Sequence, residues 1–85
     1  MPVLQGPTTV AGNSISTWVS TDGETNIAVG VQNSKDARIE YNFGSAQIYG
    51  VDPSNMTRDG AIVAKANEIR VRNTGTLEIS FEVFV

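Results

Sequence analysis

Carboxylates are the main groups in this chain that could move a proton, because the sequence contains no Cys and no His. Glu78 and Glu82 would lie on one face of a strand, with Cα atoms ~13 Å apart at ~3.3 Å per residue. That distance is too long for the two to act as an acid and a base on one bond. Thiol nucleophiles, Ser-His-Asp triads and zinc, haem or iron–sulfur sites built on Cys or His are excluded as well. We therefore expect no enzyme, no catalytic residue and no cofactor.

Oxygen ligands for a cation occur at two places, Asp22-Gly23-Glu24 and Asp52-Pro53-Ser54-Asn55. Neither stretch has the spacing of an EF-hand loop. Asp and Asn also favour turns through hydrogen bonds to their own backbone. We therefore interpret both stretches as turns and predict no metal site.

Basic residues are too few for a nucleic-acid footprint. The chain has six Lys+Arg against nine Asp+Glu, a formal net charge of -3, and Arg70 and Arg72 form its only basic doublet. We interpret this doublet as the cross-strand partner of Glu78 and Glu82 on a solvated face. No apolar run approaches the ~20 residues of a membrane helix, and the first residues lack the features of a signal peptide. We expect synthesis in the cytoplasm and neither a nucleic-acid nor a membrane partner.

Aromatic residues are the remaining candidates for ligand contact. Trp18, Tyr41 and Tyr49 could stack on a sugar, or they could pack in the core or at a protein interface. Trp18 alternates with Ile15, Thr17 and Val19 and so falls on the opposite face of that segment. An exposed Trp there would indicate contact with a partner. The sequence leaves these readings open.

Strands must position these residues, because apolar side chains recur at a spacing of two almost throughout the chain. Ile27, Val29 and Val31 show this alternation clearly. Turn signals at 22–23, 52–55 and 58–60 separate the segments. Six or seven short strands in 85 residues predict an all-β fold, a small antiparallel β-sandwich or barrel.

Two hairpins are predicted from side-chain register. A loop at 73–75 would pair Val71 with Leu77, and place Arg70 opposite Glu78. A loop at 33–37 would likewise pair the strand carrying Val29 with the strand carrying Tyr41. Both registers bring apolar faces together, which stabilises an antiparallel pair.

The two ends of the chain suggest contact with neighbours. Residues 1–12, which hold Pro2, Pro7 and two Gly, are interpreted as an extended N-terminal arm, and residues 13–85 as the β-sandwich domain. The last strand runs to the final residue and carries Phe84 on the face of Glu78 and Glu82. An apolar strand without a cover is prone to aggregation, so the strand is either central in its own sheet or covered by a neighbouring chain. Together with the small size of the domain, this favours a symmetric homo-oligomer or a larger assembly.

The whole chain resembles, in style, the small capsid decoration (cement) proteins of tailed phages. The resemblance lies in a Met-started β-domain without Cys or His, rich in Ser, Thr, Asn and Gly, with an extended N-terminal segment. The resemblance implies a virion structural protein that forms a homotrimer on the outer capsid surface. There it would bind the major capsid protein or other virion subunits and stabilise the assembled lattice. No motif transfers a functional residue from that family to this chain.

A second hypothesis is a carbohydrate- or receptor-binding β-sandwich module of a phage fibre or tail. It predicts Trp18 or Tyr49 beside Asp and Asn in one concave pocket. The decoration hypothesis predicts instead that apolar residues of the arm contact another chain. The candidate interface residues from both arguments are Val3, Leu4, Val10, Trp18, Tyr49 and Phe84.

Overall fold

The computed structural model is an all-β sandwich of two four-stranded antiparallel sheets. It describes residues 3–56 and 60–85, apart from the side chains at positions 34, 62 and 64. The predicted turn at 58–60 lies outside the described residues except for Gly60, which begins a strand. The eight strands are β1 (Val3–Val10), β2 (Val19–Ser20), β3 (Thr25–Val31), β4 (Ala37–Asn42), β5 (Tyr49–Val51), β6 (Gly60–Lys65), β7 (Glu68–Asn73) and β8 (Ile79–Phe84). Short 3₁₀ turns occupy Ser34–Asp36 and Pro53–Asn55.

Sheet A has the strand order β1-β8-β3-β6, and sheet B has the order β2-β7-β4-β5. Apart from β4 and β5, strands that follow one another in the chain lie in different sheets. The core between the sheets is formed by the predicted apolar faces, which confirms the alternation in β3 and β8. The buried apolar residues are Val10, Ile27, Val29, Val31, Ala37, Ile39, Val63, Ala66, Ile69, Val71, Ile79, Phe81 and Val83.

Both predicted hairpins are wrong. β3 and β4 lie in opposite sheets, as do β7 and β8, so the loops at 33–37 and 73–75 cross the edge of the sandwich instead of closing a ladder. β7 pairs with β4, and Arg70 lies opposite Glu40 instead of Glu78. Two apolar faces can meet side by side or across a core, and alternation alone does not distinguish these arrangements.

The buried side chain of Asn73 holds the crossing from β7 to β8. Its Nδ2 group donates to the carbonyl oxygens of Val10, Ala11 and Leu77 at 2.7–3.1 Å. Its Oδ1 accepts from the backbone N–H of Gly75 at 3.0 Å. A side chain that binds four backbone groups in this way fixes the path of the chain between the sheets.

The predicted N-terminal arm is not confirmed. Residues 3–10 form β1, which pairs with β8 at the edge of sheet A, and Val10 is only 3% exposed. Its ladder is irregular between Val3 and Gln5 and again before Thr8. Bulges and a Pro are common devices on edge strands, because they prevent pairing with another chain. Residues 1 and 2 lie outside the described residues.

Candidate functional site

The most elaborate side-chain arrangement among the described residues lies on the outer face of sheet B. Arg38, Arg70 and Arg72 surround Glu40, and we call these three arginines with Glu40 the arginine cluster. Arg70 Nε contacts Glu40 Oε1 at 2.7 Å, Arg72 Nε contacts Glu40 Oε2 at 3.1 Å, and Arg38 Nε lies 3.6 Å from Glu40 Oε2. The strand register produces this arrangement, because Glu40 is opposite Arg70, and Arg38 is opposite Arg72.

Glu40 is nearly buried beneath the guanidinium groups although it points away from the core. Its exposed fraction is 5%, whereas the Arg72 side chain is 40% exposed. Burial by itself raises the pKa of Glu40, but hydrogen bonds from Arg72 and Arg70, together with their charges, outweigh it and hold the pKa below its usual value. Glu40 is therefore ionised at neutral pH and anchors three cations in fixed positions.

Two further contacts fix the arginine side chains. The Arg70 guanidinium lies over the ring of Trp18, 4.3 Å from its centroid, in the geometry of a cation–π contact. Arg38 extends over Gly50, where a Cβ atom would collide with its guanidinium, and reaches Asp52 Oδ1 at 3.2 Å. Trp18 therefore lies on the outer face of sheet B and not in the core cluster.

A second candidate surface is formed by three aromatic rings around the β4–β5 hairpin. The rings of Tyr41 and Tyr49 are stacked at 5.7 Å, and Phe43 meets both edge-on at 5.8 and 5.3 Å. Phe43 is 47% exposed and Tyr49 is 39% exposed, and Ile48 beside Tyr49 is also exposed. We call Tyr41, Phe43 and Tyr49 the aromatic patch. It runs from the edge of the core, where Tyr41 packs, to the surface.

Two of the predicted interface residues meet on the outer face of sheet A. Val3 is exposed and is the register partner of Phe84, whose other neighbour is Ala28. Leu4 is partly buried against the core, and Val10 is inside it. The expectation that Val10 contacts another chain is therefore corrected, because its side chain already packs within its own sandwich.

One polar depression on the described surface lacks the predicted aromatic wall. It has a volume of about 470 Å³ and is lined by Ser20, Asp22, Gly23, Gly44, Asn67 and Glu68. Neither Trp18 nor Tyr49 is among these residues. Within the described ranges, no three acidic side chains come close enough together to hold a metal ion. The same ranges contain no helix with the length and apolar character needed to cross a membrane.

Comparison with known proteins gives no further identification. The chain matches no protein-family model, and neither the curated proteins nor the solved structures give a match. Its interpretation rests on its own residues.

Sequence reasoning missed the arginine cluster and one of the three rings of the aromatic patch, that of Phe43. The interpretation of Arg70 and Arg72 as partners of Glu78 and Glu82 is wrong, because β7 and β8 do not form a hairpin. Glu78 lies outside the strands, and Glu82 is opposite Gly30 in sheet A. The available signal was Glu40, a charged residue two positions after Arg38 and on the same face of β4. Phe43 was not among the candidate residues, and it follows the last residue of β4 and lies at the surface.

Proposed function

We propose that this chain is a virion structural protein that binds an assembled capsid lattice and stabilises it, as a decoration protein does. The observation that supports this most is the aromatic patch, a group of large rings that a rigid sandwich presents at its surface. Aromatic residues are enriched at the centres of protein interfaces and depleted elsewhere on surfaces. The choice of a capsid as the partner comes from the resemblance of the chain to decoration proteins.

The patch is suited to docking because its rings are already ordered. Tyr49 stacks on Tyr41, and Tyr41 packs against the core. Side chains held in place before binding lose little conformational freedom when a partner covers them. Phe43 and Tyr49 then contribute apolar burial, at roughly 25 cal/mol per Å² of covered surface.

Stabilisation of the shell would follow from mass action. A protein that binds the assembled lattice and not its separate subunits favours the assembled state. The partners would be the major capsid protein or other virion subunits at the outer capsid surface, after synthesis in the host cytoplasm. Several copies joined as a homo-oligomer, with a trimer favoured, would bind more tightly than single copies through effective concentration.

The direct experiment measures whether the chain is part of a particle. Particles of the virus that encodes the chain are purified on a density gradient, and copies per particle are counted by quantitative mass spectrometry. We expect a fixed copy number. Particles that lack the chain, with the chain remaining in the soluble fraction, would contradict the proposal.

A matched pair of variants tests the role of the aromatic patch. Phe43→Ser removes an exposed ring at one end of sheet B. Leu77→Ser removes a side chain that is 72% exposed. Leu77 lies past the opposite end of sheet B, the end at which Ala37 pairs with Asn73. Purified chain is added to particles that lack it, and bound copies are measured by co-sedimentation. Phe43→Ser should weaken binding about tenfold or more, and Leu77→Ser should leave it within about twofold. Equal losses would exclude the patch as the contact.

The second candidate function is a carbohydrate- or receptor-binding module of a fibre or tail. The aromatic patch also favours it, because exposed Tyr and Phe rings can stack on sugar faces. The one polar depression described above contains neither Trp18 nor Tyr49. A glycan array decides between the two: saturable binding to one glycan class that Tyr49→Ser abolishes, without particle association, would favour this second function.

A further inference from the structure

We propose that the arginine cluster is a binding surface for carboxylates of an extended acidic segment of a partner protein. This inference does not depend on the capsid proposal, because it uses the outer face of sheet B and not the aromatic patch. It rests on charge balance, on the spacing of the arginines and on their fixed positions.

The charge balance leaves cationic groups at the surface. Three arginines share one nearly buried carboxylate, that of Glu40. The second acidic neighbour, Asp52, binds Arg38 at 3.2 Å, and its side chain is 62% exposed. Exposed pairs of this kind contribute little, about 0–1 kcal/mol, and exchange readily with other ligands. Arg38, Arg70 and Arg72 with Glu40 and Asp52 sum to a charge of +1, in a chain whose net charge is -3, and Glu68 adds a negative charge at the end of the same face.

The register of Arg38 opposite Arg72 strengthens this argument. Like charges directly opposite each other on a sheet face destabilise the pair. The Glu40 carboxylate offsets part of this repulsion, because its Oε2 atom lies 3.6 Å from Arg38 Nε and 3.1 Å from Arg72 Nε. An external carboxylate over the same two guanidiniums would relieve more of it, because planar guanidinium groups bind carboxylates in a bidentate manner.

The spacing fits an extended peptide. Arg70 and Arg72 are two residues apart on β7, so their Cα atoms lie about 6.6 Å apart. An extended partner segment presents alternate side chains at the same spacing of about 6.6 Å. Two acidic residues at positions i and i+2 would therefore match Arg72, whose side chain is 40% exposed, and Arg70, whose side chain is 19% exposed beside the Trp18 ring. Glu68, the next residue on this face, binds Asn42 and would limit the acidic stretch at that end.

The arginines are held in place before a ligand arrives. Arg70 is fixed between Glu40 and the Trp18 ring, and Arg72 contacts Glu40 through both Nε and Nη2, at 3.1 and 3.5 Å. Prior ordering reduces the entropy that is lost on binding. The arrangement matches the general requirement for a recognition surface, in which side chains are locked by contacts behind them.

Trp18 supplies the test, because it is the single Trp of the chain and it contacts Arg70. Trp emission is followed while the full chain is titrated with an eight-residue peptide of alternating Glu and Thr. The comparison ligands are the matching Gln–Thr peptide and inorganic phosphate. We expect saturable binding of the Glu peptide, weaker at high salt, and no saturation with the Gln peptide.

Matched variants locate the binding. Arg72→Gln should weaken the Glu peptide about tenfold, since hydrogen bonds between charged groups are the strong ones. Lys65→Gln, which removes an exposed cation from sheet A, should change the affinity less than twofold. If Arg72→Gln fails to fold, Arg38→Gln serves in its place, with an expected loss of about threefold or more.

Several outcomes would overturn the proposal. They are no saturation with the Glu peptide, equal binding of the Gln peptide, equal losses in Arg72→Gln and Lys65→Gln, and binding of phosphate that is tighter than binding of the Glu peptide. The last outcome would indicate a phosphate-binding surface in place of a peptide-binding one.

Discussion

Glu40 on β4 and Arg70 on β7 are register partners on the outer face of sheet B, and their side chains form an ion pair of 2.7 Å. Thirty residues of sequence separate them. Their contact depends on the pairing of two strands that the chain does not connect directly. The same pairing brings Arg72 and Arg38 to the same carboxylate.

The lowered pKa of Glu40 predicts a stability that depends on pH. A carboxyl whose folded pKa is lowered stabilises the fold above its unfolded value, about 4.3 for Glu, and this contribution is lost as the pH falls through the folded pKa. Glu40→Gln should lower the free energy of unfolding by about 2 kcal/mol at pH 7. The difference from the natural chain should persist at pH 5 and shrink at pH 3, as measured by urea denaturation.

Glu24→Gln is the matched control, because Glu24 is exposed in the turn before β3. It makes the same change of charge and should alter stability by less than about 0.5 kcal/mol at each pH. A Glu40→Gln difference that stays constant down to pH 3 would contradict the assignment of the ionised carboxylate to the cluster.

Substitution of Asn73, which the sequence placed in a hairpin loop, should lower the stability of the fold by a large amount. Asn73→Leu keeps the approximate size but leaves the carbonyls of Val10, Ala11 and Leu77 without this donor. We expect a loss of about 2–4 kcal/mol in the free energy of unfolding. Asn55→Leu, at an exposed position without a positive φ, should lose less. Similar midpoints in thermal unfolding for the two variants would show that the network around Asn73 is not stabilising.

Position 60 should tolerate no residue other than glycine. Its φ is +130°, and a Cβ atom would collide with the carbonyl oxygen of Val29 on the neighbouring strand. Gly60→Ala should therefore destabilise the fold by about 2–4 kcal/mol. A Cβ at Gly6 meets nothing within 4 Å, so Gly6→Ala should change stability by about 0.5 kcal/mol or less. Chemical denaturation of both variants checks this, and an equally stable Gly60→Ala would contradict the β3–β6 register.

The Tyr41–Tyr49 pair predicts a measurable coupling within the aromatic patch. The two are register partners, with rings stacked at 5.7 Å. A double-mutant cycle of Tyr41→Leu and Tyr49→Leu should give a coupling of about 0.5–1 kcal/mol in unfolding free energy. A cycle of Tyr41→Leu with Leu77→Ser, at opposite ends of the sandwich, should be additive. No coupling in the first cycle would contradict the ordered patch.

The fold class and most buried faces could be predicted from the sequence. Alternation places Ile27, Val29 and Val31 on one side of β3, and all three are buried. The turn at Asp22-Gly23 is also where the sequence places it, with both residues at positive φ. These features are local, because each depends only on the period of the strand or on the conformational preference of a residue.

The candidate surfaces could be predicted only in part. Tyr49 and Trp18 were singled out and do lie at the surface of the sandwich, Trp18 half-buried beneath Arg70. Val10 was assigned to a partner because Pro and Gly around it suggested an arm, but β1 pairs with β8 and buries it. Phe43 and Glu40 were missed, since their exposure and contacts depend on where β4 ends and on which strands flank it.

By itself, the sequence determined that this protein is a β-sandwich or barrel with a defined apolar face on each strand and without the residues of common catalytic sites. Only the tertiary structure decided which strands are neighbours, and therefore that Glu40 meets Arg70 and that Tyr41 meets Tyr49. The physical reason is that an apolar face is buried equally well beside a neighbouring strand or across the core. Long-range contacts such as those of Asn73 select one arrangement, and those contacts have no local signature in the sequence.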